Sequence, residues 1–302
     1  MLSGAMIIWF ILTGASLIFT ILDFRHTPIS WVQKLAWALV IAYTGPVGLF
    51  VYLLACRNPG PDMHDSFTKP MWKQAVNSEM HCLAGDASGI IIAAAVLSAL
   101  ALPWGWELGI EYVAAFITGL FIFQAMMMRS MFSSYGEAVR RTIFAETVSM
   151  NMVMTGMIPP MVLLAVAWPE SMIPWHWSFW FRMGLATIAG GLTAYPINLW
   201  LVSKGYKHGC MTISSSSVHA DPMSSHEGHS MTPHHASHEH SSHDSHEHDH
   251  MHHHDHEGQH GHNGSHSSGH MMAMPSIGEQ VRWVGLTTAS LAVAIIITAL
   301  IR

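Results

Sequence analysis

Residues 83–102 read LAGDASGIIIAAAVLSALAL, a run of twenty residues in which Asp86 is the one charged side chain. An α-helix needs about 20 predominantly apolar residues to cross the hydrocarbon core of a bilayer. This run is that long, and a single acid does not interrupt it. It therefore predicts a transmembrane helix.

Six further runs of similar length and hydropathy accompany it. They cover roughly Leu2 to Leu22, Trp31 to Ala55, Leu108 to Met128, Val148 to Trp168, Phe179 to Val202 and Trp283 to Ile301. Half of the 302 residues are hydrophobic and 11% are charged, well below the quarter or so of charged residues in a soluble domain. We therefore predict an all-α fold, a polytopic transmembrane helical bundle of about seven spans in a lipid bilayer.

The charge pattern excludes nucleic acid as a partner. Eight of the nineteen acids lie between His219 and His270, a window without Lys or Arg, and the rest of the chain balances 13 basic against 11 acidic residues. This leaves no basic stripe or aromatic-basic module that would bind a phosphate chain. Nucleotide-binding, nucleophile-triad and heme-attachment motifs are also missing, so we do not expect an enzyme.

Basic residues collect on one predicted side, which the positive-inside rule assigns to the cytoplasm. Nine of the thirteen are on that side, namely Arg57, Lys69, Lys73, Arg129, Arg140, Arg141, Lys204, Lys207 and Arg282. Seven spans then predict a cytoplasmic amino terminus and an outside carboxy terminus.

A histidine-rich segment separates the last two predicted spans. The window from His219 to His270 holds nineteen histidines among Ser, Gly, Asp and Glu, with almost no aliphatic residue to bury. Such a composition does not offset the entropy cost of ordering, so we predict a disordered cytoplasmic tract. The predicted organisation is a six-span core over residues 1–206, a His-rich linker over 207–278 and a final transmembrane helix over 279–302.

Imidazole is the commonest metal ligand in proteins, and closely spaced histidines give a divalent ion many interchangeable partners. The strongest candidate ligands in the tract are His234, His235, His238, His240, His246, His248, His250, His252, His253 and His254. We predict that the tract buffers metal ions. The alternative is an idle linker.

The fifth predicted span carries a methionine stripe. Met150, Met154 and Met157 follow Glu146 at steps of four, four and three, which places them on one helical face. Thioether sulfur selects Cu(I), and Met150-x-x-x-Met154 is similar to the pore motif of the copper uptake transporter family. The alternative is ordinary packing, for which methionine is well suited.

The third predicted span opens with His81-Cys82-x-x-Gly85-Asp86-x-x-Gly89. His81, Cys82 and Asp86 offer nitrogen, sulfur and oxygen, which together suit a transition-metal site. An acid inside a membrane helix should face protein or water. The alternative is that Gly85 and Gly89 serve close helix packing, and that the polar residues lie at the interface.

Several segments together resemble an uncharacterised bacterial membrane family, domain of unknown function 4396. They are Tyr43-x-Gly45-Pro46-x-Gly48, His81-Cys82-x-x-Gly85, Glu146-Thr147-Val148-Ser149, Tyr195-Pro196-Ile197-Asn198-x-Trp200-Leu201 and Gly205-x-Lys207-His208-Gly209. The similarity spans about residues 1–210 and excludes the histidine tract. This resemblance implies a membrane architecture in a bacterial inner membrane but no chemistry.

Together these features predict transition-metal handling or transport. Copper is the first candidate and zinc or nickel are alternatives, since Met and Cys favour Cu(I) whereas His suits the others as well. The predicted core ligands are His81, Cys82, Asp86, Glu146, Met150, Met154 and Met157. The rival hypothesis is a membrane scaffold or assembly factor whose helices pack a partner subunit and whose tract is a metal sensor or an idle insertion. The expected partners are a membrane protein or further copies of this chain.

Overall fold

The computed structural model describes residues 2–100, 104–129, 132–209 and 272–301. The ten tract histidines named above, from His234 to His254, lie outside these ranges. The α-helices are α1 (Leu2–Asp23), α2 (Trp31–Thr44), α3 (Pro46–Ala55), α4 (His64–Thr68), α5 (Met71–Leu97), α6 (Trp104–Ile117), α7 (Met126–Met128), α8 (Tyr135–Ala167), α9 (Trp177–Ser203) and α10 (Ile277–Ile301). A π-helical segment, Thr118–Ala125, joins α6 to α7.

The helical membrane bundle is confirmed. Six helices in the described part of the chain are long and apolar enough to cross a membrane, and they correspond to six of the seven predicted spans. Helix α5 is the central one, and it packs against α2, α6, α8, α9 and the π-helical segment. Large apolar side chains on the outer helices, such as Ile8, Ile11 and Leu300, point outward, as expected for helices that face lipid.

The second predicted span, Trp31 to Ala55, does not form one crossing helix, and that prediction is wrong. A straight helix would separate Gln33 from Cys56 by about 34 Å. Instead, Gln33 Nε2 lies 3.9 Å from Cys56 Sγ. Asn77, near the start of α5, joins both ends, because its amide donates to the Ala55 carbonyl at 2.8 Å and accepts from Gln33 at 3.3 Å. Helices α2 and α3 therefore form a re-entrant hairpin.

The hairpin reverses direction at Gly45-Pro46. Gly45 has φ 59°, a left-handed conformation that glycine adopts without steric cost, and its N–H closes α2 on the Ile41 carbonyl at 2.8 Å. Pro46 has no N–H to continue α2 but suits the first turn of α3. The tip packs deep in the bundle, where Gly184 of α9 leaves room for the Tyr43 carbonyl.

The hairpin changes which ends of the helices share a face of the bundle. Asp23, at the end of α1, accepts from Tyr52 at 2.8 Å, so α1 ends at the face where the hairpin begins and ends. Trp9, early in α1, packs against Phe181 at the opposite face, with ring centroids 5.7 Å apart. The start of α1 therefore shares a face with the loop between α8 and α9, and the end of α9 lies at the other face.

Single cysteines in a cysteine-free background should report this topology. Ser66→Cys and Lys204→Cys each place a cysteine at an exposed position. Both cysteines should react with a membrane-impermeant maleimide from the same side. Gly4→Cys and Glu170→Cys should react from the other side. If positions 4 and 204 were labelled from the same side of the membrane, the seven-span arrangement would hold and the hairpin would be contradicted.

Small residues set the contact of α5 with the next membrane helix. A Cβ at Gly85 would overlap the backbone of Gly119, and one at Gly89 would lie 2.6 Å from the Ala115 Cα. The predicted role of these two glycines in close helix packing is confirmed. This close approach brings the π-helical segment directly against Asp86 and the neighbouring turn of α5.

Candidate functional site

The candidate site is built around the ammonium group of Lys207, which follows α9 and turns back into the bundle. Lys207 is 2% exposed. Its Nζ donates to Asn198 Oδ1 at 2.7 Å, to Cys82 Sγ at 2.8 Å and to Ser149 Oγ at 3.3 Å. An ammonium has three N–H groups, so these three contacts from α9, α5 and α8 use its full donor capacity.

Cys82 and Glu146 form the contact between α5 and α8. The Cys82 thiol donates to Glu146 Oε2 at 2.7 Å, and both side chains are fully buried. Cys82 Sγ therefore lies between a carboxyl group and an ammonium group. Cysteine binds metals as the thiolate, whose sulfur is a soft ligand, whereas the carboxylate oxygen of Glu146 is a hard ligand. This contact therefore brings a soft ligand and a hard ligand together.

Asp86 lies one turn beyond Cys82 and completes a pair of acids. A Cβ at Gly119 would lie 3.1 Å from Asp86 Oδ1 and would also contact Glu146 Oε1, so the two carboxyl groups border the same glycine. Neither oxygen of Asp86, nor Oε1 of Glu146, has a hydrogen-bond partner among the described residues. The site therefore presents three acceptor atoms in the protein interior. Gly119 belongs to the π-helical segment, a feature common at functional sites, and its missing side chain leaves the space for both carboxyl groups.

His81 and Glu79 extend the polar cluster along α5. Both ring nitrogens of His81 and one oxygen of Glu79 lack a hydrogen-bond partner within the described ranges, although both side chains are buried. Each buried, unpaired polar group costs free energy unless another partner satisfies it. These residues and the two acids above supply ligand atoms for a cation or a proton.

The charges in the cluster do not balance. Glu79, Asp86 and Glu146 are three buried carboxyl groups, and Lys207 is the one buried ammonium near them. Burial alone lowers the pKa of Lys207, but the nearby Cys82, Glu146 and Glu79 more than compensate, and its pKa lies above the ordinary value. The direction of this shift favours a charged ammonium on Lys207, and any of the carboxyl groups that ionises beyond that one charge needs a cation to balance it.

The fit to a metal ion depends on this lysine. In the described part of the chain, no three His, Cys, Asp or Glu side chains already stand in a metal-binding arrangement. The ammonium of Lys207 bonds to the sulfur that a metal ion would use. Cys82, Glu146 and Asp86 carry donor atoms of the kinds that transition metals use, and in this arrangement the sulfur is already bonded to Lys207.

The predicted core ligands are only partly brought together. The structure places Cys82, Glu146 and Asp86 around one point, with His81 next to them on α5. Met150, Met154 and Met157 are fully buried in the apolar core, and Met157 packs against Gly190 of α9. Packing accounts for their burial, and their role as metal ligands stays a prediction.

Sequence reasoning missed four members of the cluster. Glu79 had no recognised motif. Ser149, Asn198 and Lys207 all stand in the segments that carry the family resemblance, and they meet in space although they are far apart in the chain. A polar residue repeated at the same membrane depth in three such segments is the signal that could have found them.

The comparison with known proteins finds one family whose match covers this site. Residues 71–207 match the model of the family described as a domain of unknown function (DUF4396). The match begins at α5 and ends at Lys207, so it contains every residue of the cluster. No curated protein and no solved structure matches the chain.

Proposed function

Since residues 71–207 belong to the DUF4396 family, whose function is unknown, we propose that this membrane protein binds and moves transition-metal ions, with Cu(I) as the first candidate. The observation that carries the proposal is the buried cluster of Cys82, Glu146 and Asp86 around Lys207. It combines a soft sulfur ligand with carboxylate oxygens that lack partners among the described residues.

Lys207 acts in this proposal as a tethered cation. When no metal is present, its ammonium compensates part of the negative charge and holds Cys82, Asn198 and Ser149 in place. An arriving metal ion replaces that charge and binds the Cys82 sulfur as thiolate, the thiol proton passes to Glu146, to which it is already hydrogen-bonded, and Lys207 moves away. The exchange of one positive charge for another keeps the cost of a charge in the bilayer low throughout.

The orientation proposed from charge follows the corrected topology. With the hairpin, one face holds eleven of the thirteen basic residues, namely Arg25, Lys34, Arg57, Lys69, Lys73, Arg129, Arg140, Arg141, Lys204, Lys207 and Arg282. The positive-inside rule makes this the cytoplasmic face of a bacterial inner membrane. In this proposal both termini lie outside, and this location replaces the cytoplasmic one that seven spans predicted for the amino terminus.

The histidine tract begins shortly after Lys207 and returns to the described chain at Met272. Ala273 N–H donates to the Gly205 carbonyl at 3.0 Å, so the described residues on the two sides of the tract meet close to the candidate site. In this proposal the tract collects ions at the cytoplasmic face and raises their concentration beside Cys82.

Replacing the thiol should remove the soft ligand and little else. Cys82→Ser keeps a hydroxyl that can still bond to Lys207 and Glu146, but oxygen binds Cu(I) poorly. We expect Cu(I) affinity to fall by about tenfold or more. The measurement is competition with a chromogenic Cu(I) chelator, using full-length protein whose tract histidines are replaced by asparagine so that they do not mask the site.

Cys56 provides the matched control, because it is also a buried thiol in the described chain but lies at the hairpin, away from the acids. Cys56→Ser should leave Cu(I) affinity within about twofold of the parent. Equal affinity of the Cys82→Ser and parent proteins would reject the proposal. The scaffold hypothesis would then be preferred.

A further inference from the structure

A second site lies at the opposite end of the bundle from Lys207. The ends of α5, α6, α8 and α9 that lie away from Lys207 line a partly open cavity of about 410 Å³. Its lining includes Met161 of α8. Met161 lies fifteen residues beyond Glu146 and is thus about 22 Å along the helix from the cluster around Lys207. The volume falls in the range of small-molecule sites, which are mostly apolar with a few placed polar groups.

Arg182 supplies the positive charge of this cavity. Its side chain lines the wall and is 8% exposed, and its Nε has no hydrogen-bond partner among the described residues. One terminal nitrogen makes a long bond of 3.5 Å to the Met161 carbonyl, and the guanidinium lies over the Phe179 ring. A buried guanidinium with donors left over is a ready partner for a carboxylate.

Two acids face the same space. Glu107 and Glu111 stand one turn apart on α6 and line the cavity together with Ser98. Neither glutamate forms an ion pair with Arg182 within the described ranges. Opposite charges thus share a partly buried cavity without touching, although direct contact would be favourable in a low dielectric.

We propose that this cavity binds a small zwitterion, specifically an α-amino acid with an apolar side chain. The carboxylate lies on Arg182 and the ammonium group on Glu111, with Glu107 adding negative charge beside it. The side chain lies against the apolar wall, which includes Leu97, Ile158 and Phe179. A lone anion would face the glutamates and a lone cation would face Arg182, so a ligand that carries both charges satisfies the site best.

The experiment uses full-length protein in lipid nanodiscs and equilibrium dialysis against radiolabelled L-leucine and L-methionine. Three unlabelled compounds serve as competitors. L-leucine carries both charges, leucinamide carries the ammonium alone, and 4-methylpentanoate carries the carboxylate alone. We expect L-leucine to compete at least about tenfold better than either analogue. The proposal would be overturned if neither amino acid bound saturably, or if an analogue with one charge competed as well as L-leucine.

Variants separate a binding role from a structural one. Arg182→Gln and Glu111→Gln should each weaken binding by about tenfold or more, and Arg182→Lys, which keeps the charge, should weaken it less. Glu170→Gln is the control, because Glu170 is an exposed acid at the same face that does not line the cavity. Binding unchanged in folded Arg182→Gln protein would also overturn the proposal. Failure here leaves the metal hypothesis intact, because the sites are separate.

Discussion

Lys207→Met is expected to lower the free energy of unfolding by about 3–5 kcal/mol. Among the described residues, Lys207 is the buried ammonium beside Glu79, Asp86 and Glu146, and the substitution leaves no positive charge there to offset an ionised carboxyl group. It also leaves Cys82 and Asn198 without the donor that joins them. Unfolding by SDS titration in mixed micelles, followed by tryptophan fluorescence, measures the loss.

Two further variants make this result specific. Lys204→Met removes an exposed lysine three residues earlier and should change stability by less than about 0.5 kcal/mol. Glu146→Gln, introduced into the Lys207→Met protein, should restore part of the loss because it removes one unpaired negative charge. If Lys207→Met unfolds at the same SDS fraction as the parent, or if Glu146→Gln makes it worse, charge compensation is not what Lys207 provides.

Gly89→Ala is expected to destabilise the bundle by about 1–3 kcal/mol. The added methyl group would lie 2.6 Å from both the Ala114 carbonyl oxygen and the Ala115 Cα. Both are backbone atoms, so a side-chain rotation does not relieve the overlap and α5 has to move away from α6. The same SDS titration gives the change in stability.

Gly109 is the matched control in the partner helix. A methyl group there meets no atom of the described chain within 4 Å. Gly109→Ala should therefore be neutral or should stabilise the protein by up to about 1 kcal/mol through higher helix propensity. A similar loss in both variants would mean that glycine is needed for flexibility and not for close contact.

The sequence predicts most of the fold because spans are long and almost free of charge. It does not distinguish one crossing from a hairpin over Trp31 to Ala55, since the hydropathy of both is the same. Gly45-Pro46 was visible, but a proline with a preceding glycine is also tolerated inside a membrane helix. The packing of the hairpin against Asn77, Trp9 and Gly184 decides the outcome, and such contacts are not readable from a local window.

The site is predicted in part for a similar reason. Cys82 and Asp86 share one face of a helix, and Glu146 opens the apolar part of another, so ligand chemistry and helix spacing suggest them. Lys207 lies outside every apolar run, and a lysine there is ordinarily exposed to water. Its return into the core depends on the turn at Gly205, where φ is 70°, and on acceptors from three helices.

The re-entrant hairpin has a consequence for how the chain enters the membrane. Arg25 before it, Lys34 in its first turn and Arg57 after it all lie at the same face of the bundle. Insertion of α2 and α3 therefore leaves the charged flanks of the hairpin together at one face. Addition or loss of this hairpin during evolution would leave every downstream helix pointing the same way, and with it the side from which Lys207 enters the bundle.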